Sequence, residues 1–366
     1  MAQSLPDYKL MMQYEQGRRD GSTDIESFVQ ENKFSAQLQL ELIGLDIEIR
    51  LKIGDVVRVD DYRLDFPHLI QKIPQVLRET RKAFLTSYCP VADRIGKLPV
   101  EFGDYLIEAE IGRGGMGVVY KSLHLKSQQP CAMKVLFVSR GLEQEAEALG
   151  RIKHPNICQI VEVGRCKGTP FLCTKQVDGK NLKSILNERN FLTSQEAGTI
   201  VAKLASGFDS VHRNDVVHFD IKTSNILIDS RGEPIAMDFG LAKVGSASSE
   251  CDEIFGSPGY FAPEMLDRKF GTPGMSCDVY GLSVVLYELL TGVKPFCGSG
   301  AELFDQICNY PPSRPSDFPG RSVDLQLEAI CLQGMKKMVS ERTPSMKVMQ
   351  ESLSQWLASS CSVRVA

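Results

Sequence analysis

The tightest constraint in this chain is the β-type sequence directly after its glycine cluster. Gly112-Arg113-Gly114-Gly115-Met116-Gly117 runs straight into Val118-Val119-Tyr120. Without a Cβ, glycines at this spacing let the backbone approach phosphate oxygens closely. In a dinucleotide-binding fold the same spacing opens a helix. Two β-branched residues and a tyrosine continue a strand instead, so the cluster reads as a hairpin, which argues against a doubly wound sheet. Taken alone, such a cluster is equally consistent with a plain glycine-rich turn.

Three later stretches decide between those readings. Cys131-Ala132-Met133-Lys134 sets a lysine among alternating apolar neighbours, on an inward-facing strand. His218-Phe219-Asp220-Ile221-Lys222-Thr223-Ser224-Asn225 packs an acid, a base and an amide into one loop, and Asp238-Phe239-Gly240 comes after a short apolar run. Phosphoryl transfer needs a cover for the phosphates, a cation on them, oxygen ligands for a hard metal ion and a group that orients the acceptor hydroxyl. A compact ammonium such as that of Lys134 reaches two phosphates and needs an opposing carboxylate to hold it. Each requirement has a candidate here.

Composition narrows the setting. At 366 residues the chain suggests about two to three domains of roughly 100–200 residues each. With 43% hydrophobic residues it has apolar material for a sizeable core. A net charge of −4 gives no basic footprint for nucleic acid or an anionic membrane. The 11 cysteines are scattered, with no Cys-x-x-Cys pair and no companion histidine cluster, so neither disulfides nor a zinc site is expected. The start, Met1-Ala2-Gln3-Ser4-Leu5-Pro6, lacks the basic-then-apolar pattern of a secretory leader. The most apolar stretch, Leu282 to Leu290, carries Glu288 and is too short to span a membrane. A soluble, reduced, cytoplasmic protein is the expectation.

Along the chain, residues 1–34 are polar and read as a partly disordered N-terminus in which Tyr14, Ile25 and Phe28 are able to dock locally. Leu38 to Ile53 alternates like a strand, yet Leu38, Leu42, Leu45, Ile49 and Ile53 also line one helical face; its length favours helix. Asp55 to Phe66 suggests a turn and a short helix ended by Pro67, and Ile73 to Thr86 a further helix. Together 35–100 form a helical extension and linker. From 101 to 358 the pattern changes from strands (105–126, 131–137, 157–166, 169–177), with a helix at 141–152, to mostly helices after Asp178-Gly179, and a tail closes the chain at 359–366. The fold class is α+β.

In order and spacing these stretches, closed by Ala262-Pro263-Glu264, resemble the eukaryotic-like protein kinases over residues 105 to 356. The lysine two after Asp220 and the segment Gly256-Ser257-Pro258-Gly259-Tyr260-Phe261-Ala262-Pro263-Glu264 resemble the serine/threonine branch. Ile111 to Lys121, Glu328 to Leu332 and Arg342 to Met346 are similar to bacterial Hanks-type members in particular. The resemblance implies a two-lobed fold, with a β-rich N-lobe, a helical C-lobe and the small, mainly helical extension in front. It implies transfer of the ATP γ-phosphate to protein serine and threonine hydroxyls, autophosphorylation included, with Mg²⁺ or, in its place, Mn²⁺. Asp220 would orient the hydroxyl, Lys222 neutralise the moving phosphate, and Asn225 and Asp238 hold the metal. Lys134 would pair with Glu145, nine residues before His154-Pro155-Asn156; Glu143 and Glu147 read as solvated helix charges. Ile111, Val119, Ala132 and Leu227 would enclose adenine, with Thr174 as gatekeeper and Lys175 to Val177 as hinge, while Gly112, Arg113, Gly114, Gly115, Met116 and Gly117 cover the phosphates. Glu264 would pair with Arg342, Asp278 brace the loop around Asp220, and Ser257 help hold the acceptor. No nucleic acid partner and no membrane span are implied, and oligomeric state is open.

Phe219, Thr223, Gly281 with Ser283, and the unusually polar hinge pair Lys175-Gln176 depart from that pattern. Phe219 stands where an arginine usually precedes the catalytic aspartate, and it cannot pair with a phosphate; activity should therefore not need one docked there, even if Ser246, Ser248 or Ser249 is modified. Thr223 replaces a common proline and should be tolerated. Ser283 brings a hydroxyl into an apolar helix, where a carbonyl one turn back is its expected acceptor. Phe219 and Ser283 are the only support for the competing reading, a pseudokinase scaffold that binds nucleotide or partners without efficient transfer.

Overall fold

The structure, a computed structural model, describes residues 14, 24–32, 34–52, 57, 59–87, 98–114, 117–136, 150–166, 168–239, 243–244, 257–298 and 300–362. The chain divides into two compact units, residues 1–140 with 165–171, and residues 141–164 with 172–366.

The first unit includes helices α1 (Ile25–Asn32), α2 (Ala36–Lys52) and α3 (Ile73–Ser87). The stretch that alternates like a strand is thus α2. Its buried face overlaps the expected one only in part: Leu42 and Ile49 are buried on both. Leu42, Ile43 and Ile47 are fully buried, whereas Leu38 and Leu45 are only partly covered. At the centre of that face sits Asp46, 1% exposed. Its two carboxylate oxygens accept from the hydroxyls of Tyr14 (2.7 Å) and Tyr62 (2.6 Å). Burial beside that carboxylate drives the Tyr62 phenol well above its ordinary range, so it stays a donor. Tyr14, Ile25 and Phe28 belong to the same apolar core as Leu42, Tyr62 and Ile73, so the faces of these helices cover one another. Pro67 does not end a helix here. It opens a second 3-10 turn, Pro67–Leu69, after the one at Val59–Tyr62, a first-turn position where its missing N–H costs nothing.

Strands β1 (Val100–Phe102), β2 (Tyr105–Gly114), β3 (Gly117–His124) and β4 (Gln129–Leu136) come next as an antiparallel meander. With β5 (Ile160–Cys166) and β6 (Thr169–Lys175) the sheet runs β1-β2-β3-β4-β6-β5. Alternation along β3 and β4 sends Val118, Tyr120, Cys131, Met133 and Val135 to a buried face.

The second unit is mostly helical. Short strands β7 (Gly179–Asn181), β9 (Ile226–Asp229) and β10 (Pro234–Ala236) form one small sheet, and β8 (Val216–Val217) pairs with β11 (Lys243–Val244). Among the described residues its helices include α4 (Leu182–Arg189), α5 (Ser194–His212), α6 (Pro263–Leu266), α7 (Met275–Thr291), α8 (Gly300–Asn309), α9 (Leu325–Gly334) and α10 (Met346–Ser362). Thr193 and Glu196 close a capping box at the start of α5. Helix α7 is buried from Cys277 to Thr291, which explains its apolar run, and ends at Gly292 in the left-handed conformation. Against α5 lies Trp356 of α10. A Cβ on Gly198 would come within 2.2 Å of the indole, so only glycine admits that contact. No described helix is long and apolar enough to cross a membrane.

Candidate active site

In the first unit the glycine cluster is the β2–β3 hairpin. Gly114 pairs with Gly117, Gly112 with Val119, and the register slips between Glu110 and Gly112, at Ile111. A Cβ on Gly117 would fall 2.2 Å from the Val135 carbonyl oxygen, so this glycine is set by sheet packing as well as by the turn. Arg113 is held by Glu110 at 2.6 Å. Lys134 on β4 stands opposite Val119 on β3, and Ala132 opposite Lys121. Paired residues share a face. Val119, Ala132 and Lys134 therefore line the half-buried side of the sheet, away from Cys131, Met133 and Val135. Ile111 is 58% exposed. Gly115, Met116 and Glu145, together with Glu143, Glu147 and most of the helix expected at 141–152, lie outside the described residues.

In the second unit the loop from His218 to Asn225 is fixed from below. Asp278, in the first turn of α7 and fully buried, accepts the backbone N–H of His218 (2.8 Å), that of Phe219 (2.8 Å) and the His212 ring (2.9 Å). The His218 ring joins two motifs. Its Nδ1 accepts the Asp220 N–H at 3.2 Å, which makes Nε2 the donor to the Met237 carbonyl at 3.1 Å. Its ring lies 4.7 Å from that of Phe239 between centroids. Phe219 takes a positive φ of 61° and packs on the main core of the unit; Asp238 has a φ of 59° and is exposed. Such backbone is uncommon outside glycine and collects at functional sites.

The polar ends of this loop converge. Lys222 Nζ lies 2.6 Å from Asp220 Oδ2 and 2.8 Å from Ser257 Oγ. The Ser257 N–H donates to Asp220 Oδ1 at 3.1 Å. Asn225 Nδ2 donates to the Asp220 carbonyl (3.0 Å) and to Oδ2 (3.1 Å), which turns its amide oxygen the other way. The Met237 N–H reaches the Asn225 carbonyl at 2.8 Å, tying the segment before Asp238 to the loop. An amide oxygen and a carboxylate are the hard donors that a magnesium-like cation takes, so Asn225 and Asp238 fit such an ion in kind.

Thr174 is half-buried near the end of β6, and the Lys175 N–H bonds to the Gln159 carbonyl at 2.9 Å. Leu227 on β9 pairs with Ile235 on one side and Asn181 on the other. The Cys158 thiol, pushed up to about 11 by burial, leans on the Lys175 carbonyl at 3.5 Å. Glu264 and Arg342 form a two-pronged pair at 2.6 and 2.7 Å with both side chains fully buried. Ser283 returns its hydroxyl to the Val279 carbonyl at 2.8 Å. Neither Ser283 nor the packed Phe219 disturbs the polar cluster. Ser246, Ser248 and Ser249 lie outside the described residues.

Residues 105–353 match the protein kinase domain family. The chain belongs to the protein kinases. It is 31% identical over 265 residues to the serine/threonine-protein kinase PknD of Mycobacterium tuberculosis, covering 69% of this chain and 39% of that protein. It is 34% identical over 220 residues to the probable serine/threonine-protein kinase PknB of Lactococcus lactis, covering 57% and 34%. For the serine/threonine-protein kinase PknH of Mycobacterium bovis the identity is 30% over 264 residues, covering 69% and 43%. The matched part of this kinase thus spans less than half of each of these relatives.

Sequence reading misses several contributors. His218 stands in the motif with no role that its neighbours reveal, and nothing local points to His212 or Tyr260. Glu288 leaves one trace, a lone carboxylate in an otherwise apolar helix.

Proposed function

We propose that the chain is a serine/threonine protein kinase that moves the ATP γ-phosphoryl group to a protein serine or threonine hydroxyl and also phosphorylates itself. The observation that carries this reading is the triangle of Asp220, Lys222 and Ser257. Asp220 orients the acceptor hydroxyl and takes its proton. Lys222 places a cation where charge builds on the transferring oxygens. Ser257 belongs to the segment that would seat the acceptor peptide, so its bonds to both residues register acceptor against base.

Lys134, for which Glu145 is the proposed partner, is assigned to the phosphates, and the hairpin from Gly112 to Gly117 to their cover. Ile111, Val119, Ala132 and Leu227 are assigned to the adenine, with Thr174 and the backbone of Lys175 and Val177 at its edge. Asn225 and Asp238 would hold Mg²⁺, which when bound neutralises phosphate charge. Domain limits of 1–34, 35–100, 101–358 and 359–366, a cytoplasmic location, and activity without a phosphate docked at Phe219 belong to the same proposal.

The test is incubation of wild type and Asp220→Asn with labelled ATP and magnesium. Loss of label from serine and threonine by about 10²- to 10⁴-fold is expected from removal of the general base. Equal labelling of the two proteins would sink the assignment.

A further inference from the structure

One buried cluster beside the proposed site has no part in the transfer step itself. Thr223, 1% exposed, comes directly after Lys222 in the loop. Its hydroxyl is 3.0 Å from the Tyr260 hydroxyl and 3.1 Å from Glu288 Oε2. The Tyr260 hydroxyl also donates to Glu288 Oε2. Glu288 is fully buried on α7, and its other oxygen meets Lys183 Nζ at 3.1 Å. Burial and the neighbouring carboxylate hold the Tyr260 phenol well above its ordinary range, so it remains a donor. Thr223 is adjacent to Lys222, and Tyr260 lies three residues after Ser257. The loop and the segment carrying Ser257 are therefore tied twice. One tie is Lys222 to Ser257, at the polar end; the other is Thr223 to Tyr260 through Glu288, one residue deeper.

We infer that Thr223 is a positioning residue, whose hydroxyl fixes the acceptor-seating segment against Asp220 and Lys222. A proline at this position has no hydroxyl and could not make the second tie. The inference rests on the kinase reading. Its mechanism is geometric. Without the deeper tie the Lys222–Ser257 contact alone sets where an incoming hydroxyl sits, and a shift of about 1 Å costs about 10²-fold in a reaction of this kind. Water needs no such seat, so ATP hydrolysis should suffer less than peptide phosphorylation.

The experiment compares wild type, Thr223→Val and Thr223→Ser. It measures kcat and KM for a pooled serine/threonine peptide library, hydrolysis of ATP without peptide, and the melting temperature. For Thr223→Val we expect peptide transfer to fall at least about fivefold relative to hydrolysis, within the range that misplacement allows. Thr223→Ser should restore the ratio to within about twofold, since it returns the hydroxyl. Should Thr223→Val not fold, Tyr260→Phe removes the other hydroxyl of the cluster and carries the same expectation. A Thr223→Val protein with an unchanged ratio, whether both activities are intact or both fall in step with melting temperature, overturns the inference. A wild type that neither hydrolyses ATP nor labels peptide overturns the kinase reading, and this inference with it.

Discussion

Asp46 and Asp278 are both carboxylates sealed from water, and they do different jobs. Asp278 spends two of its three bonds on backbone N–H groups of consecutive loop residues, His218 and Phe219. Asp46 accepts side-chain hydroxyls, from Tyr14 and Tyr62. Backbone amides have no rotamers, so a carboxylate on them dictates the path of the chain, here the path that presents Asp220. Hydroxyls at the ends of long side chains fix which helices pack together and leave their backbone free. A buried acid is thus a shape-setting device in the second unit and a packing pin in the first.

The hardest blow to that contrast would come from Asp278→Asn. It keeps size but puts an NH₂ where an acceptor was, so the loop should lose its path. Transfer activity is expected to drop by roughly 10²-fold or more from misplacement, while circular dichroism stays native. Near-normal activity would break the comparison.

Next in size is Glu264→Gln, which removes one charge from the sealed pair with Arg342. Breaking such a pair costs about 3–5 kcal/mol because the partner stays charged and buried. Urea denaturation should register the loss, and the double change Glu264→Gln with Arg342→Met should cost less than the two singles added together. Simple additivity would count against a coupled pair.

Asp46→Asn should be milder. Two hydroxyls keep one acceptor between them, so the loss is about 1–3 kcal/mol, confined to the N-terminal helices and visible as faster proteolysis before residue 88. Peptide transfer should stay within about twofold of wild type, since neither hydroxyl that Asp46 accepts belongs to a residue of the proposed site. A large drop in transfer would erase the distinction between the two acids.

Smallest is Glu196, a surface carboxylate that also serves a backbone N–H, that of Thr193. Arg189 and the Thr193 groups hold it at about 2, below its ordinary 4.5. Its folded value is depressed, so its stabilisation is full above pH 4.5 and fades as pH falls towards 2. Glu196→Gln should cost under about 1 kcal/mol at pH 7, since the group is exposed and its ion pair screened. Near pH 2 the two proteins should melt together; a gap that widens on acidification would reverse the sign.

The parts of this molecule legible from residues alone are those where chemistry and sequence proximity coincide. Asp220, Lys222 and Asn225 share one loop, and their mutual bonds accord with that spacing. Lys134 can be put on a strand because its neighbours alternate. The pair of Glu264 and Arg342, 78 residues apart, comes through family likeness and not through any local signal. The cluster of Thr223, Tyr260, Glu288 and Lys183 is hidden because its members come from four separate elements and no periodicity links them. In α2, hydrophobic periodicity gives the helix and, with Leu42 and Ile49, part of its buried face; the rest is missed because a pattern of leucines cannot announce that an aspartate with two tyrosine donors belongs in the middle.

The contact of Gly198 with Trp356 has a consequence for biosynthesis. The ribosome delivers α5 long before α10, so the groove around Gly198 waits, wet and unfilled, while most of the second unit emerges. Until the indole arrives and its Nε1 finds Asp324, the nascent polypeptide holds an open seam that a chaperone or a misplaced aromatic ring is able to occupy.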